Sequence, residues 1–145
     1  MLRLFVRFFC ISSFERILFI RTTAVMLYFC ILIAVVPRRF ILRRIGKSGV
    51  QVPEDLSEKD ILPVTQVSKA IQRSVKFIPW KVTCFVIAVA GKYMLKQMGI
   101  TSTLYIGVGK DEAQKLTAHA WLRCGRIIVT GKEEMKRFTP VAFFS

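Results

Sequence analysis

The hydrophobic period of the chain changes at Gly99, and that change dictates the order in which helices and sheet are laid down. Before it, apolar residues recur at helical spacing: Val64, Val67, Ile71 and Val75 follow Pro63, and Pro79 ends the stretch. The run from Thr83 to Met98 carries the strongest helix signal. Thr83 is a capping residue, Ala88 and Ala90 suit a helix interior, and Gly99 supplies the stop. After Gly99 the period is that of a half-buried strand, with Leu104, Ile106 and Val108 alternating with Thr103, Tyr105 and Gly107. A polar turn at Lys110-Asp111-Glu112 leads to a second strand over Ala118 to Leu122. Cys124-Gly125-Arg126 then turns into a third, Ile127 to Thr130. A fourth is expected over Phe138 to Phe144, near a sheet edge, because Pro140 has no N–H to give a ladder. Helices followed by an antiparallel sheet make an α+β domain.

The front of the chain poses a different question. Residues 1–46 read as helical, with Ser13 capping Phe14-Glu15-Arg16 and Gly46 stopping the run. Within them, Ala24 to Val36 is a stretch of thirteen apolar residues, lengthened by Thr22 and Thr23 to fifteen uncharged ones between Arg21 and Pro37. A membrane span needs about 20 such residues, and no fewer than about 17. A span would therefore have to take in Arg21, at about 3 kcal/mol unless the side chain snorkels. A signal peptide would need a small-residue cleavage site, and Val36 runs directly into Pro37-Arg38-Arg39. A buried or interfacial helix is thus favoured over a span, and a span over a signal. Residues 47–60 are polar, contain Gly49 and Pro53, and hold four of the nine acids, as a linker or exposed loop does. Residues 61–145 form the remaining domain.

Charge and cysteine usage narrow the function classes. Lys and Arg number 23 against 9 Asp and Glu, and nine of those bases lie in the first 50 residues, where Glu15 is the only acid. Such a basic, apolar front suits an anionic membrane surface or an acidic partner. No nucleic-acid recognition motif accompanies it. Cys10, Cys30, Cys84 and Cys124 form no disulfide-scaffold spacing, and with no Cys-x-x-Cys pair and a single histidine a zinc site is expected to be short of ligands. Reduced thiols and a cytoplasmic compartment are expected, with membrane contact through residues 17–36. No metal or cofactor is expected.

Two residues stand out chemically. Cys84 opens the Thr83–Met98 helix, where unpaired N–H groups and the helix dipole favour a thiolate and Lys81 adds positive potential. The same N–H groups suit an oxyanion. His119 lies in Ala118-His119-Ala120-Trp121, where strand alternation puts His119 and Trp121 on one face and the alanines and Leu122 on the other. An imidazole with so little bulk beside it can act as general base and acid for a thiol 35 residues earlier. The bland alternatives are a packed structural cysteine and a satisfied histidine. A third group normally orients such a ring. Glu133 is the first choice and Glu134 its neighbour; Thr130 is nearer but weaker, and Asp111 and Glu112 rank lower.

These residues carry a resemblance. Pro79-Trp80-x-x-x-Cys84, Gly99-Ile100, Leu104-Tyr105-Ile106-Gly107-Val108 and Ala118-His119-Ala120-Trp121-Leu122 resemble lasso peptide biosynthesis protein B. The likeness is to its stand-alone peptidase half, a branch of the transglutaminase-like cysteine peptidases. Ile128-Val129-Thr130-Gly131, the closing Phe138-Thr139-Pro140-Val141, Glu15-Arg16, Pro37-Arg38-Arg39-Phe40 and Gly46 extend it over nearly the whole chain. The resemblance implies a papain-like or transglutaminase-like core with the cysteine at a helix start, packed on the sheet. It implies leader removal from a lasso precursor, delivered by a separate leader-binding protein and followed by a cyclase. It assigns Cys84 and His119 as nucleophile and base. The family's Asp falls near Thr130 and Gly131 here, so either Glu133 or another group replaces it, or orientation of the ring comes from the backbone. Two rivals follow: amide transfer on the same residues, and a non-enzymatic basic membrane-associated protein.

Overall fold

The computed structural model describes residues 12–53 and 55–145. Helix α1 runs from Ser13 to Val35 and α2 from Arg38 to Ile45; α3 is Glu58–Phe77 and α4 is Cys84–Gln97. Strands follow as β1 Thr103–Lys110, β2 Leu116–Cys124, β3 Ile127–Thr130 and β4 Thr139–Phe144, with a 3-10 turn at Met135–Arg137. The α+β architecture is as the period change dictates.

Several ends differ from the sequence pattern for local reasons. The cap of α1 is Ser12, whose Oγ accepts the Glu15 N–H at 3.3 Å, so Ser13 is the first helical residue. Pro37 breaks the N-terminal run into two helices, because the residue before a proline is pushed out of the α region, and Val36 is extended at ψ 129°. Helix α3 starts at Glu58, and Pro63 sits inside it. The N–H that Pro63 lacks would have bonded the carbonyl of Lys59, an exposed residue that water can serve. The chemically important end is as expected: Thr83 Oγ1 accepts from the Val86 N–H, and Cys84 is the first residue of α4.

The sheet is antiparallel in the order β3-β2-β1-β4. One face carries Leu104, Ala120, Leu122 and Cys124, which join the core together with Val86, Ala88, Val89 and Leu95 of α4. Approach there is close: a Cβ at Gly91 of α4 would lie 2.9 Å from Leu122 Cδ2. Helix α1 is part of the same core. Its stripe of Leu18, Thr22, Met26 and Phe29 is buried, and Thr23 Oγ1 meets Ser74 Oγ of α3 at 2.9 Å. The polar segment after α2 is tied down at the sheet edge, Lys47 and Ser145 exchanging both backbone hydrogen bonds.

The other face is occupied differently. Register pairs Tyr105 with Trp121 and Gly107 with His119, and the first two rings stack at 5.5 Å and 4°. Strands β3 and β4 lie at opposite edges, so residues 131–138 must cross both central strands. They cross on this face: a Cβ at Gly107 would meet Trp121 at 2.7 Å and Phe138 at 3.0 Å, and one at Gly109 would meet the Arg137 carbonyl at 2.6 Å. The sheet is thus sandwiched between the helices and its own crossover.

Two ionisable groups sit in the helix-side core. Lys92 of α4 donates to the Ser102 carbonyl, and burial, reinforced by Lys96, lowers its pKa to about 8. Cys124 donates to the Thr101 carbonyl at 3.2 Å, and burial, reinforced by Asp60, raises its pKa to about 11. Unfolded, the lysine titrates near 10.5 and the thiol near 9.0. Between pH 8 and 9 the unfolded chain therefore holds the extra proton, and stability is expected to rise by about 1 kcal/mol across that unit. From about pH 9 to 10.5 the folded thiol keeps a proton that the unfolded one loses, which offsets the rise, and above that stability falls. Urea midpoints across this range check the curve, and Lys92→Met is expected to remove its rising limb.

Candidate active site

The site is built from the start of α4 and the middle of β2. Thr83 leaves the helix no choice of starting point, since its hydroxyl takes one of the first-turn N–H groups. That places Cys84 at the positive end of the helix dipole, partly buried. Arg38, at the start of α2, lies over the Phe85 ring at 5.6 Å and adds a second positive charge to this end of α4. Cys30, Cys84 and Cys124 are all free thiols, and Cys10 lies outside the described residues.

His119 is 6% exposed. Strand alternation aims it at the crossover, where its ring stacks on Phe138 at 5.1 Å and lies 6.2 Å from Trp121. Its Nδ1 is 3.3 Å from Glu134 Oε2, and its Nε2 is 3.4 Å from the Gly131 carbonyl. Both partners are acceptors. A ring with one proton satisfies one of them, whereas an imidazolium donates to both. A donor at Nδ1 facing a carboxylate is the arrangement that fixes a tautomer and leaves Nε2 as the base. The contact at Nε2 is at the outer limit of hydrogen bonding and is the weaker of the two.

The acid beside the ring is therefore Glu134 and not Glu133, which is exposed on the same loop. The sequence offered both. What separates them is the turn after β3: Gly131, at φ 77°, reverses the chain so that the fourth residue of the crossover comes under His119. Asp111 is spent locally, accepting from the Lys115 N–H at 2.9 Å. Thr130 faces α4, its Cγ2 3.7 Å from a Cβ built at Gly91, and its buried hydroxyl has no partner among the described residues. Thr130→Val replaces that orphan with a methyl of the same shape and is expected to stabilise the fold by about 1 kcal/mol, read as a higher urea midpoint.

Among the described residues no hydrogen bond joins Cys84 to His119. The helix packs on the Ala120 and Leu122 face of β2, and the imidazole lies on the other. One edge separates them. Strand β3 pairs only with Leu122 to Cys124, so the β2 edge beside His119 has no strand against it. No cluster of three or more His, Cys, Asp or Glu suited to a metal occurs among the described residues.

Comparison with known proteins gives one match. A family model described as the transglutaminase-like superfamily aligns with residues 24–142, which include Cys84, His119 and Glu134. No curated protein and no solved structure matches the chain.

Proposed function

The chain belongs to the transglutaminase-like superfamily, and from that premise we propose that it is a cysteine peptidase that removes the leader from a lasso-peptide precursor. The superfamily includes cysteine peptidases and transglutaminases. The observation that carries the proposal is His119 of β2, paired with Glu134 of the crossover, on a sheet packed against a helix that begins at Cys84. Its local chemistry is that of a nucleophile and an oriented base, and it needs no cofactor.

On this reading the Cys84 thiol and His119 Nε2 meet around the open β2 edge when substrate is seated, since the free chain holds them on opposite faces of the sheet. Nε2 takes the Cys84 proton and the thiolate attacks the scissile carbonyl. The N–H groups of Cys84 and Phe85, which have no helix carbonyl to bond, face the oxyanion. Collapse breaks the C–N bond, Nε2 returns its proton to the leaving amine, and a thioester remains. Water, deprotonated by the same nitrogen, releases the leader acid and restores the thiol. If an amine replaces water, the same residues perform transamidation.

The leader and its separate binding protein are the expected partners, and a cyclase acts on the freed core peptide. The test is the intact mass of a lasso precursor incubated with the chain and a cognate leader-binding protein. A single cut at the leader–core junction supports the proposal. Glu134→Gln is expected to slow it by about tenfold, the ring losing its orienting charge at a solvated position, while Glu133→Gln leaves the rate unchanged. Equal effects of the two substitutions would remove Glu134 from the site.

A second reading is favoured by the position of the ring. If His119 serves only to pin the crossover through Glu134, Gly131 and Phe138, the domain is a non-enzymatic member of the superfamily. An uncut precursor, with binding of its partner demonstrated, is the result that reading expects.

A further inference from the structure

Helix α1 is apolar on the side that the fold does not use. Away from its buried stripe lie Phe14, Ile17, Ile20, Tyr28, Ile31 and Val35, each more than half exposed, with Arg21 the one charged residue among them. The helix is about 34 Å long at 1.5 Å per residue, and no charged residue falls between Arg21 and Arg38. Its flanks continue the apolar surface: Phe77 of α3, 59% exposed, packs edge-on against Phe19, and Tyr93 of α4, 40% exposed, against Phe29. Tyr28 and Tyr93 carry hydroxyls at this rim, as side chains at a lipid–water boundary do.

Charge says what covers this face. Arg16 lies near its start and Arg21 about a third of the way along, its long stem able to carry the charge to the headgroups; Arg38, Arg39, Arg43, Arg44 and Lys47 follow its end, all of these but Arg16 exposed. None of the seven is ion-paired among the described residues, whose bridges are Arg73–Glu15 and His119–Glu134. Arg43, Arg44, Lys47 and Lys96 also line one cavity of about 480 Å³ between α2, the end of α4 and Ser145. A second copy would set these arginines against their own kind, on chains that each carry +14. An anionic bilayer matches both halves of the surface. A span does not, because Leu18, Met26 and Phe29 would have to leave the core they share with α3 and α4.

We propose that the outer face of α1 lies in the surface of an anionic lipid bilayer, with the arginines of α2 on lipid phosphates and the sheet held beside the membrane. The apolar strip supplies insertion and the basic cluster supplies lipid selectivity. The proposal does not depend on the peptidase reading, and its test reads lipid binding alone.

The experiment is co-sedimentation of the full chain with vesicles of phosphatidylcholine, or of phosphatidylcholine with roughly one-third phosphatidylserine. Binding to the mixed vesicles is expected to exceed binding to the neutral ones by at least about tenfold, and to fall as salt rises. Ile20→Glu with Ile31→Glu, both on the exposed side, is expected to lower it by at least about tenfold with helical circular dichroism unchanged. Arg43→Glu with Arg44→Glu is expected to do likewise, and Lys110→Glu with Arg126→Glu, an equal charge change on the sheet's turns, to do much less. Alkaline carbonate is expected to release the protein. Equal binding to both vesicles, or undiminished binding by the Ile20→Glu, Ile31→Glu variant, overturns the proposal. Carbonate-resistant protein overturns it in favour of a span, and a lipid-free dimer broken by that variant in favour of a second copy.

Discussion

On the peptidase proposal, replacing Cys84 by alanine is expected to abolish cleavage, with a loss of at least about 1,000-fold in kcat/KM and a stability change under about 1 kcal/mol. The side chain is only partly buried and loses a single sulfur, so packing changes little. The thiolate is the group for which nothing nearby can substitute: Cys30 is on α1, and Cys124 is buried at the far end of β2 with its proton held up to about pH 11. His119→Ala is expected to lose activity to a similar degree but to behave differently on unfolding. It removes a ring stacked on Phe138 and leaves Glu134 without its partner, so a cost of about 1–3 kcal/mol is expected as well. The pair of measurements, steady-state cleavage and urea midpoint, distinguishes a catalytic His119 from one that acts through the fold alone. A catalytic histidine gives loss of rate in His119→Gln even where the midpoint recovers. A purely structural one restores both together. Cleavage unchanged in Cys84→Ala would move the nucleophile elsewhere and end the peptidase proposal in its present form.

How much of this was legible beforehand depended on how local the physics was. The start of α4 was legible because a single residue, Thr83, decides it through one hydroxyl. The split of β2 into two faces was legible too, since alternation is a property of any strand, and Trp121 and His119 do share the face opposite Ala120 and Leu122. The choice between Glu133 and Glu134 was not. It depends on the route of residues 131–138 over the sheet, which follows from β3 and β4 lying at opposite edges, and strand order is a tertiary fact. The break at Pro37 was available from proline chemistry, but helix-forming residues on either side of it read as one helix. The partial burial of α1 was the hardest to foresee. A helix apolar all round gives no sign of which side faces the protein, and only the partners on α3 and α4 decide it.

The same crossover explains why Gly131→Ala is expected to be the most damaging single-methyl change near the site. Gly131 has φ 77°, where an alanine costs about 1–2 kcal/mol from its own Cβ. The added carbon would lie 2.7 Å from Trp121 Cβ, 2.8 Å from His119 Nε2 and 3.1 Å from the Ala120 carbonyl oxygen. Two of these are fixed by the β2 backbone and cannot step aside as the tip of a long side chain can. Overpacking of this kind adds about 1–3 kcal/mol, so a total loss of about 2–5 kcal/mol in unfolding free energy is expected. Glycine at position 99, also at φ 73°, serves as a control, because a Cβ there meets nothing within 4 Å and only the backbone strain applies. Gly99→Ala is therefore expected to cost about 1–2 kcal/mol, and the difference between the two midpoints isolates the steric part. Whatever Gly131→Ala protein folds must move the crossover away from His119, and the Glu134 contact goes with it. Residual cleavage by that fraction is expected to fall further than in Glu134→Gln, because the ring loses its carboxylate and its position together. Equal midpoints for Gly131→Ala and Gly99→Ala would mean that the crossover yields freely, and the tight packing of His119 beneath it would then be no constraint on the site.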